Sequence, residues 1–108
     1  MITQLEPRDL AAWRQDASRP APVLVDVREP NEHALGLIEG SLTMPLQTLP
    51  ARVAELPRDR DLVLVCRSGN RSQRAAQWLE QAGFTRLFNL RGGVLAWSTD
   101  VDPTMPRY

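Results

Sequence analysis

Apolar positions fall into two kinds of pattern along the chain, and they alternate. "PVLVDVRE" and "DLVLVC" are short continuous apolar runs, the first interrupted by a single acid, and both suit central parallel strands covered on both faces. "FTRLFNL" reads as a further strand, and "LTMPL" as a very short one cut off by Pro45. Between them lie stretches with helical spacing. "EPRDLAAWRQ" carries Pro7 near a helix start, with Leu10, Ala11 and Trp13 roughly on one face. "LQTLPARVAEL" places Leu46, Leu49, Val53 and Leu56 near helical spacing, while "PNEHALGLIEGS" reads as a loop with one helical turn. The clearest helix is "SQRAAQWLEQAG". Ser72 suits its N-cap, Ala75, Trp78, Leu79 and Ala82 form the apolar stripe, and Gly83 suits the position after its end. "RGGVLAW" is a turn into a short helix. Strands alternating with helices predict an α/β architecture with a mainly parallel sheet.

The 108 residues predict a single domain, with 102–108 as a short tail, large enough to bury a core without disulfides or metal. The formal net charge is zero, which argues against a nucleic-acid binder. All 13 basic residues are arginine, a bias that codon usage explains and that excludes any lysine-based mechanism. One cysteine and one histidine allow neither an internal disulfide nor an ordinary zinc site. "MITQLEPRDLAAW" has no basic n-region and no apolar core, so neither a signal peptide nor a membrane span is expected. The cytoplasm is the expected compartment, and its reducing conditions suit a free thiol.

That thiol is Cys66, which ends the run "LVLVC" and is followed at once by Arg67, Ser68, Gly69, Asn70, Arg71 and Ser72. Strand, short loop and helix place a group at the carboxyl edge of a parallel sheet, where α/β proteins bind ligands. Backbone N–H groups from Arg67 to Ser72 are expected to turn inward around the sulfur, with Gly69 allowing the turn. The helix N-terminus, those N–H groups and the guanidiniums of Arg67 and Arg71 all favour the nucleophilic thiolate. The arginines would also attract an anionic substrate. A buried structural thiol is the plain alternative, but two arginines have little reason to crowd an inert one. In phosphatase loops five residues separate cysteine and arginine. Here four separate Cys66 from Arg71, a tighter ring that suits one extra sulfur atom, as in a persulfide.

Four stretches, in order, resemble the signatures of the single-domain rhodaneses, or thiosulfate sulfurtransferases. They are "VLVDVREPNEH", "GLIEGSLTMPL", "LVLVCRSGNRSQRAAQWLEQAGF" and "LFNLRGGVLAW". The resemblance implies a rhodanese-like α/β fold, a five-stranded parallel sheet flanked by helices on both faces. It implies a six-residue active loop from Cys66 to Arg71, with Cys66 persulfidated, the loop N–H groups holding the outer sulfur and Arg67 and Arg71 bordering the pocket. Asp26 and Arg28 resemble the first signature's pair and are read as structural. The second signature commonly reads Gly-His-Ile-Pro-Gly-Ala. Here Leu37, Glu39 and Ser41 stand at its varied positions, which leaves His33 as the sole histidine, expected on the solvated surface. Trp13, Trp78 and Trp97 are expected in the core, and Gly92–Gly93 at the turn beside the active edge.

The resemblance implies a sulfurtransferase that moves sulfur from thiosulfate or a similar anion to cyanide, a thiol or a protein. No metal or organic cofactor is expected, nor a nucleic-acid or membrane partner, and monomer and dimer both remain open. The second reading is a persulfide carrier that docks onto a sulfur-relay protein and turns over little free thiosulfate. Phosphatase chemistry is opposed by the loop register, and a thiol-relay arsenate reductase by the absence of a resolving cysteine.

Overall fold

The computed structural model describes residues 1–108. Its elements are β1 (Ile2–Leu5), α1 (Pro7–Gln15), β2 (Val23–Asp26), α2 (Pro30–His33), β3 (Leu42–Thr43), α3 (Leu49–Arg52), β4 (Leu62–Val65), α4 (Asn70–Gln81), β5 (Leu87–Leu90) and α5 (Gly93–Asp100). Turns of 3-10 helix flank α3 at Leu46–Thr48 and Val53–Glu55. The five strands form one parallel sheet in the order β1-β5-β4-β2-β3, as the α/β expectation requires. No helix is long and apolar enough to cross a membrane.

Alternation along the buried strands divides the core in two. Val25 on β2, Leu62 and Leu64 on β4, and Cys66 just beyond it pack with Leu49 of α3 and Ala75, Ala76 and Leu79 of α4. Leu24, Val63 and Val65 point the other way, into a cluster with Leu10 and Trp13 of α1 and Val94 and Trp97 of α5. All four residues of β4 are buried, as expected for a middle strand with helices on both sides.

Three elements differ from the sequence expectation. β1 carries no continuous apolar run, only Ile2 and Leu5 around two exposed polar residues, so its four residues leave little periodic signal. It is recruited by parallel pairing with β5. The stretch around Pro50 is not one helix but three short pieces. Trp78 is 38% exposed, unlike Trp13 and Trp97, because the stripe of α4 that faces the sheet is carried by the small residues Ala75 and Ala76 with Leu79.

Candidate active site

Cys66 follows the last residue of β4, and its side chain is fixed by what comes next. Gly69 adopts a left-handed φ of 103°, which reverses the chain in three residues. The Gly69 N–H donates to Cys66 Sγ at 3.0 Å. Gly69 is therefore the residue before the first turn of α4, and Ser72, expected as the N-cap, lies inside that turn. Its hydroxyl is turned inward instead, 3.3 Å from Cys66 Sγ and 2.5 Å from Asn89 Oδ1 on β5. The expected ring of donors around the sulfur thus contains one backbone N–H and one hydroxyl in this conformation. Ser68 and Asn70 are exposed, and Cys66 itself is 1% exposed.

The hydroxyl of Ser72 has one proton for two acceptors. Asn89 Nδ2 donates to Gln4 Oε1 at 2.9 Å and to the Gly69 carbonyl at 3.2 Å, so its Oδ1 is left to accept. Gln4 Nε2 in turn donates to Gln73 Oε1. A chain of side chains therefore runs from the sulfur through Ser72, Asn89 and Gln4 to Gln73. Gln4, Gln73, Asn89 and Arg91 contribute to the wall of a polar cavity of about 300 Å³ beside the loop. Gln4 was beyond sequence reasoning because its strand was not recognised. Asn89 could have been suspected as the lone polar residue within the apolar run "LFNL".

The back of the loop is held by the N-terminus of α5, where Val94 and Leu95 N–H donate to the carbonyls of Cys66 and Arg67 at 2.9 and 3.1 Å. This approach is possible because residue 93 has no side chain. A Cβ there would lie 2.4 Å from both carbonyl oxygens, at a φ of +61°. Gly93→Ala is expected to destabilise the domain by about 2–3 kcal/mol, combining left-handed strain with overpacking. A urea midpoint indistinguishable from the parent would refute that close approach.

Arg67 and Arg71 both flank the loop, yet neither guanidinium is free. Arg67 is exposed, and its Nε and Nη2 both donate to the main-chain oxygen of Tyr108, the former at 2.6 Å. Arg71 forms a two-pronged pair with Glu32 of α2, at 2.6 and 2.8 Å. The Arg71 hydrogen bonds, more than offsetting burial, draw Glu32 down to about 2 from an ordinary 4.5. Because the folded value lies below the unfolded one, the pair stabilises the domain fully above about pH 4.5 and loses that contribution as pH falls toward 2. Glu32→Gln is expected to flatten the fall of urea midpoint over this interval, and an unchanged slope would contradict the linkage. Sequence reasoning did not single out Glu32. Its signal was local, three positions after Glu29, and the two residues close a capping box on α2.

Behind Glu32 lies a buried ion pair. Asp26 is fully buried and Arg28 also, and Arg28 Nε and Nη2 grip both carboxylate oxygens at 2.8–3.1 Å. Arg28 also donates to the carbonyl of Gly36 at 2.7 Å and to the hydroxyl of Tyr108 at 3.0 Å. His33 was expected on the solvated surface. Its side chain is instead 11% exposed, with Nε2 3.3 Å from Asp26 Oδ1 but not aligned for a hydrogen bond. The short α2 turns it inward against the carboxylate.

A thiol at the carboxyl end of the middle strand, reached by a left-handed glycine and backed by a helix N-terminus, defines a cysteine-loop α/β protein. The sequence matches the rhodanese-like domain over residues 7–100, and the chain belongs to that family. A sulfurtransferase of Allochromatium vinosum is 41% identical over 91% of this chain and 90% of its own length. The probable adenylyltransferase/sulfurtransferase MoeZ of Mycobacterium tuberculosis is 35% identical over 96% of this chain, which spans 26% of it. Among solved structures, SSP1007 of Staphylococcus saprophyticus superposes with a TM-score of 0.83 at 26% identity, covering 92% of this chain and 96% of that one. The family and its relatives support sulfur transfer as the general chemistry.

Proposed function

We propose that this protein transfers a sulfane sulfur through a persulfide on Cys66. The observation that carries the reading is Cys66 Sγ, held at the end of β4 with the Gly69 N–H and the Ser72 hydroxyl as its polar neighbours. The Cys66 thiolate attacks the outer sulfur of a donor such as thiosulfate. A sulfur–sulfur bond forms to Cys66 while the donor's own breaks, and sulfite leaves with the electron pair. A thiophile then attacks the outer sulfur of the persulfide, taking it away and returning the thiolate; with cyanide the product is thiocyanate. N–H and O–H donors aimed at the sulfur stabilise the charge that develops there.

A second reading is supported by the same surroundings. With Arg71 paired to Glu32 and Arg67 bound to Tyr108, the loop offers little uncommitted positive charge to a free anion. A persulfide carrier served by a partner protein would need less, and a relative that combines adenylyltransferase and sulfurtransferase in one name fits such a relay.

The test is mass spectrometry of the intact protein after treatment with thiosulfate, followed by addition of cyanide. A gain of one sulfur atom, reversed by cyanide with release of thiocyanate, is expected. No gain with thiosulfate but a gain from a protein persulfide would favour the carrier, and no gain from either would overturn both.

A further inference from the structure

After α5 the chain turns back on itself. Val101 and Asp102 N–H both donate to the carbonyl of Trp97, and Ser98 Oγ donates to the carbonyl of Met105 at 2.7 Å. Met105 is buried among Trp13, Trp97 and Val94, which anchors the segment in the core. Pro106 packs on Gly36, where a Cβ would meet its ring at 3.1 Å. These two contacts deliver Tyr108 to the loop.

There its side chain touches Arg28, Glu32 and Arg67, and it reaches Arg71 through Glu32. The hydroxyl donates to Glu32 Oε2 at 2.7 Å and accepts from Arg28 Nη1 at 3.0 Å. Its ring centre lies 5.1 Å from the Arg67 guanidinium, and its main-chain oxygen accepts from the same side chain. The Nε–Nη2 edge of Arg67, one of the edges through which a guanidinium grips an oxyanion, is thus already occupied by the chain itself.

We propose that Tyr108 is a specificity-determining residue of the site: by occupying Arg67 and bracing Glu32 against Arg71, it lowers the affinity of the Cys66 loop for small anionic sulfur donors. The inference rests on the sulfur-transfer reading for its biological meaning, but its physical basis is competition. An anion can use Arg67 only in the fraction of molecules whose Tyr108 contact is open, and the apparent dissociation constant is raised by the inverse of that fraction. A tethered group competes at an effective concentration on the order of millimolar, so a dilute free anion is at a disadvantage. A donor that brings further contacts of its own, as a protein persulfide does, is penalised least.

Other charges around Cys66 are shared by all variants: Arg71 with Glu32, Arg28 with Asp26 and His33, and Arg91 with Glu6 beyond β5. Tyr108→Ala keeps the main-chain oxygen that Arg67 grips. It removes the hydroxyl and ring that hold residue 108 against Glu32, Arg28 and Arg67, so the contact is expected to open. The full chain carrying it is compared with the parent at one pH in two assays. In steady-state transfer from thiosulfate to cyanide, KM for thiosulfate is expected to fall by about tenfold with kcat held, as a strap closed about nine-tenths of the time requires. In alkylation of Cys66, the rate with anionic iodoacetate relative to neutral iodoacetamide is expected to rise by a similar factor. Tyr108→Phe, which keeps the ring and loses the hydroxyl, is expected to fall between parent and alanine variant. Loosening of the fold alone would speed both reagents together. An unchanged ratio, a parallel rise of both rates, or no reaction of either reagent with the alanine variant overturns the proposal. If the parent takes sulfur neither from thiosulfate nor from a protein persulfide, the sulfur-transfer reading fails while the alkylation ratio still decides the role of Tyr108.

Discussion

Cys66→Ser is expected to fold with a urea midpoint close to the parent's and to lose sulfur uptake and transfer to cyanide below detection. A serine hydroxyl is smaller than the thiol and fits the same buried space, with the Gly69 N–H and Ser72 hydroxyl still available to it. It is nevertheless a weak nucleophile unless a base removes its proton. The groups facing residue 66 supply no base, since the Gly69 N–H can only donate and a serine hydroxyl is a poor proton acceptor. The sole histidine is turned against Asp26. If Cys66 were only a core residue, the serine variant would keep its activity, so retained transfer would remove the mechanism entirely. Cys66→Ala provides the companion measurement: it too should be inactive, and it reports how much the buried thiol contributes to packing.

Arg28→Met is expected to cost about 3–5 kcal/mol, because it leaves Asp26 as a fully buried carboxylate without its partner. A domain of this kind has about 5–15 kcal/mol in total, so the variant should be marginal or unfolded at 37 °C. The loss is chiefly that of an uncompensated charge rather than of the pair's own attraction. Asp26→Asn combined with Arg28→Met should therefore recover part of the stability, by removing the stranded charge. Recovery will be incomplete, since Arg28 also holds Gly36 and the hydroxyl of Tyr108. Urea midpoints of the single and double variants decide the matter, and a single variant within about 1 kcal/mol of the parent would show that the pair is not the constraint described.

The apolar runs of β2 and β4 and the stripe of α4 were legible because each buries a continuous face, and burial is what patterns a sequence. Their alternation led to the parallel α/β architecture and the four signature stretches to the rhodanese-like sheet, while the length of the loop from Cys66 to Arg71 pointed to sulfur rather than phosphate. What escaped was set by tertiary contact. β1 has too few apolar residues to declare itself and exists through its pairing with β5. Ser72 has the composition of an N-cap, yet Gly69 reverses the chain earlier and releases the hydroxyl for the sulfur and Asn89. Arg67 and Arg71 read as free cations because sequence spacing shows charges but not their partners. Glu32 and Tyr108 come from 39 and 41 positions away respectively to occupy them. His33 and Trp78 exchanged environments through local packing, one turned inward by the short α2 and the other left out where alanines packed closer.

The edge position of β1 has a consequence for the order in which the protein can be made. Gln4 meets Asn89 across a separation of 85 residues. The ribosome therefore releases β1 long before its partner strand exists, and Ile2 and Leu5 wait without a sheet to join. Such a distant pairing carries a large loop-closure entropy and belongs late in folding. The chain of amides behind Cys66 is thus completed at its far end by a residue that emerges long before β5, and only after β5 has been synthesised. A chain that ended before β5 would carry Cys66 and its arginines but would lack Asn89, which accepts the Ser72 hydroxyl's bond.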